Sequence, residues 1–249
     1  MDIDQYLRRI NYAGTLDPTL GVLSQLQLRH LLTVPFENLD IHNKIEIDLG
    51  NLYNKIVTLR RGGFCYELNG LFYELLTEIG FAVKRVSARV YTSTKDYSPE
   101  YDHMAIIASI ENTDYLIDVG FGEFAFSPIP IALNKETPDP RGIFRIQAFD
   151  EDHKVIEKKN AEGAFIPEYM FSEKARQMAE FYDRCSYHQT SSQSHFTQNR
   201  ICSLPTNDGR ITLTGNTLKI TERGKVEERL LNNEQEIRHE LWNYFGIKL

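Results

Sequence analysis

Apolar residues recur at helical intervals in the first third of the chain. Asp17 and Pro18 predict the N-cap and the first residue of an amphipathic helix, because leucines follow at near-helical spacing. A second apolar stripe runs into the Arg-Arg-Gly-Gly break at 60–63, and a third follows at once and ends at Gly80. The first 80 residues are therefore predicted to be helical.

The pattern after Gly80 is typical of antiparallel strands. Small and β-branched residues are favoured at positions 81–91, and two short apolar runs flank the turn-like pair Glu111-Asn112. If that pair is a two-residue hairpin turn, the numbers of facing residues sum to 223. Residues 143–159 predict a second hairpin with an acidic tip. Nothing in the pattern indicates a parallel sheet.

The last part of the chain begins with a polar stretch. From about Ser186 the composition predicts a linker or an exposed lid, followed by two strands and a final helix near 234–245.

Composition limits the classes of function. The chain has 249 residues, of which 41% are hydrophobic and 25% charged, which indicates a folded protein of one large domain or two to three coupled lobes. The net charge of −7 argues against a nucleic-acid partner, so any phosphate-bearing ligand has to be bound by a local basic pocket. The sequence shows neither a signal peptide nor an apolar run of the roughly 18 residues that span a membrane. We therefore expect a cytoplasmic protein without a membrane partner.

One cysteine stands in a chemically suggestive position. Cys65 follows a pair of glycines and heads the third predicted helix, where the positive end of the helix dipole favours a thiolate, with Arg60 and Arg61 adding positive potential. The alternative is a small buried core residue, and the segment alone does not decide between the two. The chain has three cysteines without C-x-x-C spacing, which indicates neither a disulfide framework nor a zinc knuckle: Cys65, Cys185 and Cys202.

A histidine and an aspartate are predicted to meet on the first hairpin. In the register above, His103 and Asp118 share one face as diagonal neighbours, about 7 to 8 Å apart at Cα. Shifting the turn by one residue along each strand separates them. His103 alone reads as an ordinary strand-end histidine, but Asp118 in an apolar strand needs a partner. Together with Cys65 they form a candidate nucleophile, base and orienting carboxylate.

Four segments resemble, in chain order, the signature segments of the arylamine N-acetyltransferases. They are VPFENLDIH at 34–42, RRGGFCYELNG at 60–70, DHMAI at 102–106 and LIDVGFG at 116–122. The resemblance implies an α+β fold: a helical bundle over 1–80, an antiparallel β-barrel over 81–185 and an α/β lid over 186–249. It also implies a core like that of cysteine proteases and transglutaminases.

The same resemblance implies a ping-pong reaction. Cys65, His103 and Asp118 match the family's catalytic triad, and the acetyl group of acetyl-CoA would pass through an acetyl-cysteine to an arylamine, an arylhydrazine or a related acceptor. The implied partners are coenzyme A and that small acceptor, the implied role is xenobiotic metabolism, and no metal is involved. Four further residues match positions that line the family's acceptor pocket, although core packing is their ordinary role: Phe36, Val90, Phe121 and Phe196.

Two residues depart from the family pattern. Asp102 precedes the histidine and Glu123 follows Gly-Phe-Gly, where relatives often carry small residues. We expect them either to add negative charge that favours a cationic or hydrazine-like acceptor or to point to solvent. The chain also has no Gly-rich phosphate loop, so scattered main-chain and basic groups would hold the coenzyme A phosphates.

Three other functions fit parts of the sequence. A thiol hydrolase or a transglutaminase-like amidase uses the same triad. A non-catalytic binding protein with the same scaffold is a further possibility. A metal-binding module would use residues whose spacing matches no regular zinc motif: Cys185, His188, His195 and Cys202.

Overall fold

The computed structural model describes residues 1–249. Its α-helices are α1 (Ile3–Arg9), α2 (Leu20–Thr33), α3 (Leu39–His42), α4 (Cys65–Ile79), α5 (Tyr182–Thr190), α6 (His195–Gln198) and α7 (Glu234–Phe245), with a π-helical turn at Asn54–Thr58 and a 3-10 turn at Met178–Phe181. Its strands are β1 (Phe36–Glu37), β2 (Ala82–Val90), β3 (His103–Ile110), β4 (Thr113–Ile117), β5 (Ile129–Pro130), β6 (Glu136–Asp139), β7 (Gly142–Ala148), β8 (His153–Lys159), β9 (Phe165–Ser172), β10 (Ile201–Thr206), β11 (Gly209–Thr214), β12 (Thr217–Glu222) and β13 (Lys225–Leu230).

The helices of the first 80 residues follow the predicted pattern with two corrections. Thr19, and not Asp17, caps α2, because its hydroxyl accepts a hydrogen bond from the Val22 amide at 3.3 Å. The second apolar stripe forms little more than the π-helical turn, and Leu59 at its end is 62% exposed. The third stripe is α4, which ends at Gly80 with φ 103°, the left-handed conformation that glycine adopts without strain.

Eight antiparallel strands form a nearly closed barrel in the order β5-β4-β3-β2-β9-β8-β7-β6. The first predicted hairpin is confirmed with its register, since Ile106 faces Ile117 and both turn residues have positive φ. The edges of the sheet approach each other at Asp139 in β6, whose carboxylate accepts hydrogen bonds from the amides of Phe126 and Ser127, which precede β5. The second predicted hairpin is β7 and β8.

A second antiparallel sheet, in the order β1-β10-β11-β12-β13, combines one strand from the first third of the chain with four strands from its last part. The short β1 pairs with β10, and α7 buries Leu241 and Phe245 in a core shared with β10 to β12. The polar stretch after Ser186 is not a linker: it forms the end of α5 and the short α6, which the Ser194 side chain caps. The predicted domain boundaries stay predictions, and the one at 185/186 falls inside α5.

The largest hydrophobic core positions the candidate site. Helix α4 packs Leu68, Leu71 and Phe72 against apolar residues of β3 and β4, including Ile106 and Ile117. The N-terminus of α4 therefore lies beside the start of β3 and the end of β4. None of the helices combines the length and the apolar character required to cross a membrane.

Candidate active site

His103 and Asp118 make a direct contact inside the protein. His103 Nε2 lies 2.6 Å from Asp118 Oδ2, and the two residues are 2% and 0% exposed. His103 begins β3 and Asp118 directly follows β4, so the hairpin turn at 111–112 fixes both positions. The contact that the register predicted is confirmed. Because Nε2 is engaged by Asp118, Nδ1 is the imidazole nitrogen that is available to another group.

The second oxygen of Asp118 anchors the carboxylate. Asp118 Oδ1 accepts hydrogen bonds from Asn69 Nδ2 at 2.8 Å, from the Gly120 amide at 2.8 Å and from the Phe121 amide at 2.9 Å. Three donors on one oxygen compensate for the loss of water around a buried carboxylate. They also fix its orientation, so that Oδ2 faces the imidazole.

Asn69 connects α4 to both strands, and sequence reasoning missed it. Its Nδ2 also donates to the Met104 carbonyl at 2.7 Å, while its Oδ1 accepts from the Val119 amide at 2.9 Å. The signal in the sequence was an amide side chain within the apolar stripe of the helix, one helical turn after Cys65. The helix also approaches closely at Gly120, where a Cβ would lie 2.7 Å from Cys65 Cα.

Replacing Asn69 by alanine is expected to lower the free energy of unfolding by about 3 kcal/mol, because buried groups on three residues lose their partner. Urea titration followed by circular dichroism measures the change. Thr77→Ala, on the exposed face of the same helix, serves as the control. If the free energy of unfolding of Asn69→Ala lay within about 0.5 kcal/mol of that of the parent, the bridging role would be contradicted.

The Cys65 thiol lies in this corner of the structure, in surroundings that oppose its ionisation. Cys65 is 4% exposed, in a cluster with Phe64, Tyr66 and Met104. Burial raises the pKa of the Cys65 thiol, the charges of Asp118 and Asp102 raise it further, and a hydrogen bond from the Met104 backbone lowers it only in part. Burial and the two carboxylates therefore oppose the thiolate that the sequence predicts for Cys65.

The two arginines before Cys65 do not supply the expected positive potential. Arg61 binds the carboxylates of Glu37 and Asp40, each at 2.8 Å, and Arg60 is exposed. The Gly62-Gly63 pair runs alongside β1, where Gly63 bridges to Phe36 and a Cβ on Gly62 would lie 2.0 Å from the Pro35 carbonyl oxygen. The proton of the thiol has to be removed by a nearby base.

The four predicted pocket residues are half-buried and fall into two groups. Phe36 and Phe196 pack against the Cys65 cluster, with their ring centroids 6.0 Å apart. The Phe121 ring lies edge-on to His103 at 5.4 Å between centroids. Val90 is more remote: it pairs across the sheet with Tyr169, whose ring lies 5.2 Å from that of His103. Whether these residues bind an acceptor stays a prediction.

A cleft of about 970 Å³ opens between residues 41–49 and helix α5. It reaches Cys185, which belongs to the buried cluster around Cys65. None of the four predicted pocket residues lines it.

Comparison with known proteins identifies the family. A family profile described as N-acetyltransferase matches residues 19–249. The chain belongs to the arylamine N-acetyltransferase family. A pineal gland isozyme of that enzyme from Gallus gallus is 32% identical over 279 aligned positions, which cover 100% of this chain and 95% of the relative. The arylamine N-acetyltransferase of Mycolicibacterium smegmatis is 32% identical over 257 positions, covering 100% and 93%.

Solved structures of the family share the fold. The Mycobacterium marinum arylamine N-acetyltransferase in complex with CoA is 30% identical and superposes with a TM-score of 0.89, covering 99% of this chain and 93% of that chain. The α+β fold with a cysteine-protease-like core is confirmed. This member of the family is an acyltransferase, as the sequence predicted.

In this N-acetyltransferase both departures from the family pattern form ion pairs. Asp102 binds the Arg184 guanidinium and His188 Nε2, the latter at 3.0 Å. Although burial acts to raise it, these partners hold the pKa of Asp102 far below its ordinary value. The alternative of a solvent-facing carboxylate is therefore wrong at this position, whereas the expected negative charge is present and raises the pKa of the Cys65 thiol.

Glu123, the other departure, forms ion pairs with three cations. Its carboxylate lies 3.2 Å from Arg141, 3.1 Å from Lys158 and 3.5 Å from Arg210. It adds no free negative charge to the site. The preference for a cationic or hydrazine-like acceptor stays a prediction.

The alternative of a metal-binding module does not fit the structure. His188 hydrogen-bonds Ser194 and Asp102, while Cys202 is buried in the core of the second sheet. Cys185 lies in the separate cluster around Cys65. No three residues of ligating type converge to hold a metal ion.

Proposed function

We propose that this protein transfers the acetyl group of acetyl-CoA to an aromatic amine or arylhydrazine through an acetyl-cysteine on Cys65. The buried His103 to Asp118 hydrogen bond carries the proposal, because it orients an imidazole beside the start of the helix that bears the thiol. Family membership supports the acceptor class, and the M. marinum relative in complex with CoA supports the donor.

In the first half-reaction the thiol needs a base, since burial raises its pKa. His103 Nε2 is committed to Asp118, so Nδ1 takes the thiol proton. The sulfur of Cys65 attacks the acetyl carbonyl, the bond from that carbon to the coenzyme A sulfur breaks, and coenzyme A leaves as its thiol with the proton from His103. Asp118 stabilises the imidazolium in between.

The second half-reaction uses the same groups. The acceptor nitrogen attacks the acetyl-cysteine carbonyl, its proton passes to His103, and the carbon to sulfur bond of the intermediate breaks. His103 then returns the proton to Cys65. Low exposure of Cys65 and the aromatic rings of Phe36, Phe121 and Phe196 favour an apolar aromatic acceptor over water.

Intact-protein mass spectrometry tests the proposal. Incubation with acetyl-CoA is expected to add one acetyl group, which peptide mapping places on Cys65, and subsequent addition of an arylamine is expected to remove it with formation of the acetylated amine. Loss of the acetyl group at the same rate in water alone, with release of acetate, would instead indicate a thiol hydrolase. Absence of any acetyl-protein would contradict the covalent route.

A further inference from the structure

A chain of hydrogen bonds connects the strand that begins at His103 to the short helix α6. Asp102, the residue before His103, lies with its Oδ1 3.0 Å from His188 Nε2. The other imidazole nitrogen of His188, Nδ1, lies 3.0 Å from the Ser194 hydroxyl, and that oxygen accepts a hydrogen bond from the Phe196 amide at 3.3 Å. His188 and Ser194 are buried, so water does not compete for these groups.

The carboxylate of Asp102 sets the direction of this hydrogen-bond chain. Because an ionised carboxylate only accepts, His188 Nε2 carries a proton and donates the hydrogen bond. In the neutral imidazole Nδ1 is then an acceptor, which receives the Ser194 hydroxyl and leaves the serine oxygen free to accept from the Phe196 amide. Arg184 also binds Asp102, which favours the charged carboxylate. Each donor in the chain therefore meets an acceptor.

Helix α6 depends on such polar contacts. It has four residues, none of them buried, and a helix of this length is not stable by itself. The Phe196 ring reaches the buried cluster around Cys65, where it lies 5.2 Å from the His188 ring and 5.9 Å from that of Phe64. The Phe196 carbonyl oxygen lies 2.9 Å from Asn38 Nδ2, which donates to it. The backbone of α6 is thus held at the start of α3 and, through His188, at the start of β3.

The same chain is attached to the helix that bears the candidate nucleophile. The hydroxyl of Tyr66, the residue after Cys65, lies within hydrogen-bonding distance of two carbonyl oxygens, that of Tyr101 at 2.8 Å and that of Asp102 at 3.1 Å. The Tyr66 ring also packs on the His188 ring, with 6.3 Å between their centroids. Asp102 is therefore fixed relative to Cys65, and the hydrogen bonds transmit that position to α6.

We propose that Asp102 and His188 are positioning residues, which hold the Phe196 ring beside Cys65 and thereby favour acceptors that carry an aromatic ring. This inference rests on the proposed function, in which Phe196 contributes to the apolar surroundings of the acceptor. Asp102 is also one of the two departures from the family pattern. A relative with a small residue at this position lacks the carboxylate that starts the chain, so the device belongs to this protein and not to the triad itself.

The test compares two acceptors, aniline and hydrazine, of which only aniline has a ring. His188→Leu removes both imidazole nitrogens but keeps an apolar side chain beside Phe196. It is expected to lower kcat/KM for aniline about five- to tenfold, the equivalent of one lost hydrogen bond. For hydrazine, and for acetyl-CoA in the first half-reaction, kcat/KM is expected to change less than about twofold. Ser194→Ala removes a single oxygen atom at the last link of the chain and is expected to give the same pattern.

His188→Gln is the conservative variant. Its amide nitrogen donates to Asp102 and its amide oxygen accepts from Ser194, so kcat/KM for aniline is expected to stay within about threefold of the parent. His153→Leu is the matched control, because His153 forms a histidine and aspartate pair with Asp150, at 2.9 Å, in the β7 to β8 hairpin. The control is expected to leave kcat/KM for both acceptors unchanged.

Hydrogen–deuterium exchange of peptides that cover residues 191–199 measures how firmly α6 is held, without turnover. Exchange is expected to be about tenfold faster in His188→Leu than in the parent, and close to the parent value in His188→Gln. Unchanged exchange in His188→Leu, or equal losses of kcat/KM with aniline and hydrazine, would overturn the positioning role. Failure of acetyl-CoA to acetylate Cys65 in the parent would instead overturn the proposed function, and the exchange measurement would still decide whether the chain holds α6.

Discussion

The Cys65→Ala variant is expected to lose acetyl transfer by a factor of at least about 10⁴, because no other group near His103 replaces the nucleophilic sulfur. The cost to folding should be small, about 1 kcal/mol, since the substitution removes one buried atom from a cluster that remains apolar. Steady-state kinetics with acetyl-CoA and an arylamine, and intact mass after acetyl-CoA alone, measure both the rate and the intermediate.

Cys185→Ala provides the matched control. Cys185 is buried in the same cluster, and burial raises the pKa of its thiol to about 12, but it lies in α5 and its sulfur accepts a hydrogen bond from Gln189 Nε2 at 3.3 Å. The control variant should therefore still gain one acetyl group and turn over the acceptor. Acetylation that persists in Cys65→Ala and disappears in Cys185→Ala would identify Cys185, and not Cys65, as the nucleophile.

Local patterns were sufficient to predict the elements whose boundaries depend on neighbouring residues. The hairpin at Glu111-Asn112 was predictable because both residues adopt positive φ readily and the flanking runs are apolar. The end of α4 was predictable because Gly80 adopts the left-handed conformation. By contrast, β13 has every residue exposed and carries no alternating pattern, so only its pairing with β12 defines it.

The same distinction holds within the candidate site. The contact between His103 and Asp118 followed from a register that a short turn fixes. Asn69 was missed because its partner Asp118 is 49 positions away, and helical periodicity alone does not distinguish a bridging amide from a tolerated one. The raised thiol pKa of Cys65 was missed for a related reason, since burial arises from packing against distant residues.

Charge at the two departures from the family pattern also depends on distant partners. Asp102 meets Arg184 and His188, which lie 82 and 86 positions along the chain. Composition and motif position showed an extra carboxylate but not the cations that pair with it.

The Asp118→Asn variant is expected to lower kcat/KM for acetyl-CoA about 10³- to 10⁴-fold while it leaves the fold intact. Three N–H donors surround Asp118 Oδ1, so the amide oxygen of the variant occupies that position and the amide nitrogen faces His103. Because this amide nitrogen donates a hydrogen bond, His103 Nε2 has to accept it. The proton of the neutral imidazole therefore lies on Nδ1. That nitrogen then cannot take the proton of the thiol.

Alkylation of Cys65 with iodoacetamide across pH separates this tautomer effect from simple unfolding. The parent should react at lower pH than Asp118→Asn, because only the parent stabilises a thiolate and imidazolium pair, and circular dichroism should be unchanged. Asp114→Asn, on the same strand β4 but partly exposed, should leave both rate and pH profile close to the parent. Identical alkylation profiles for the parent and Asp118→Asn would show that the carboxylate does not control the imidazole, and the proton transfer proposed for His103 would lose its physical basis.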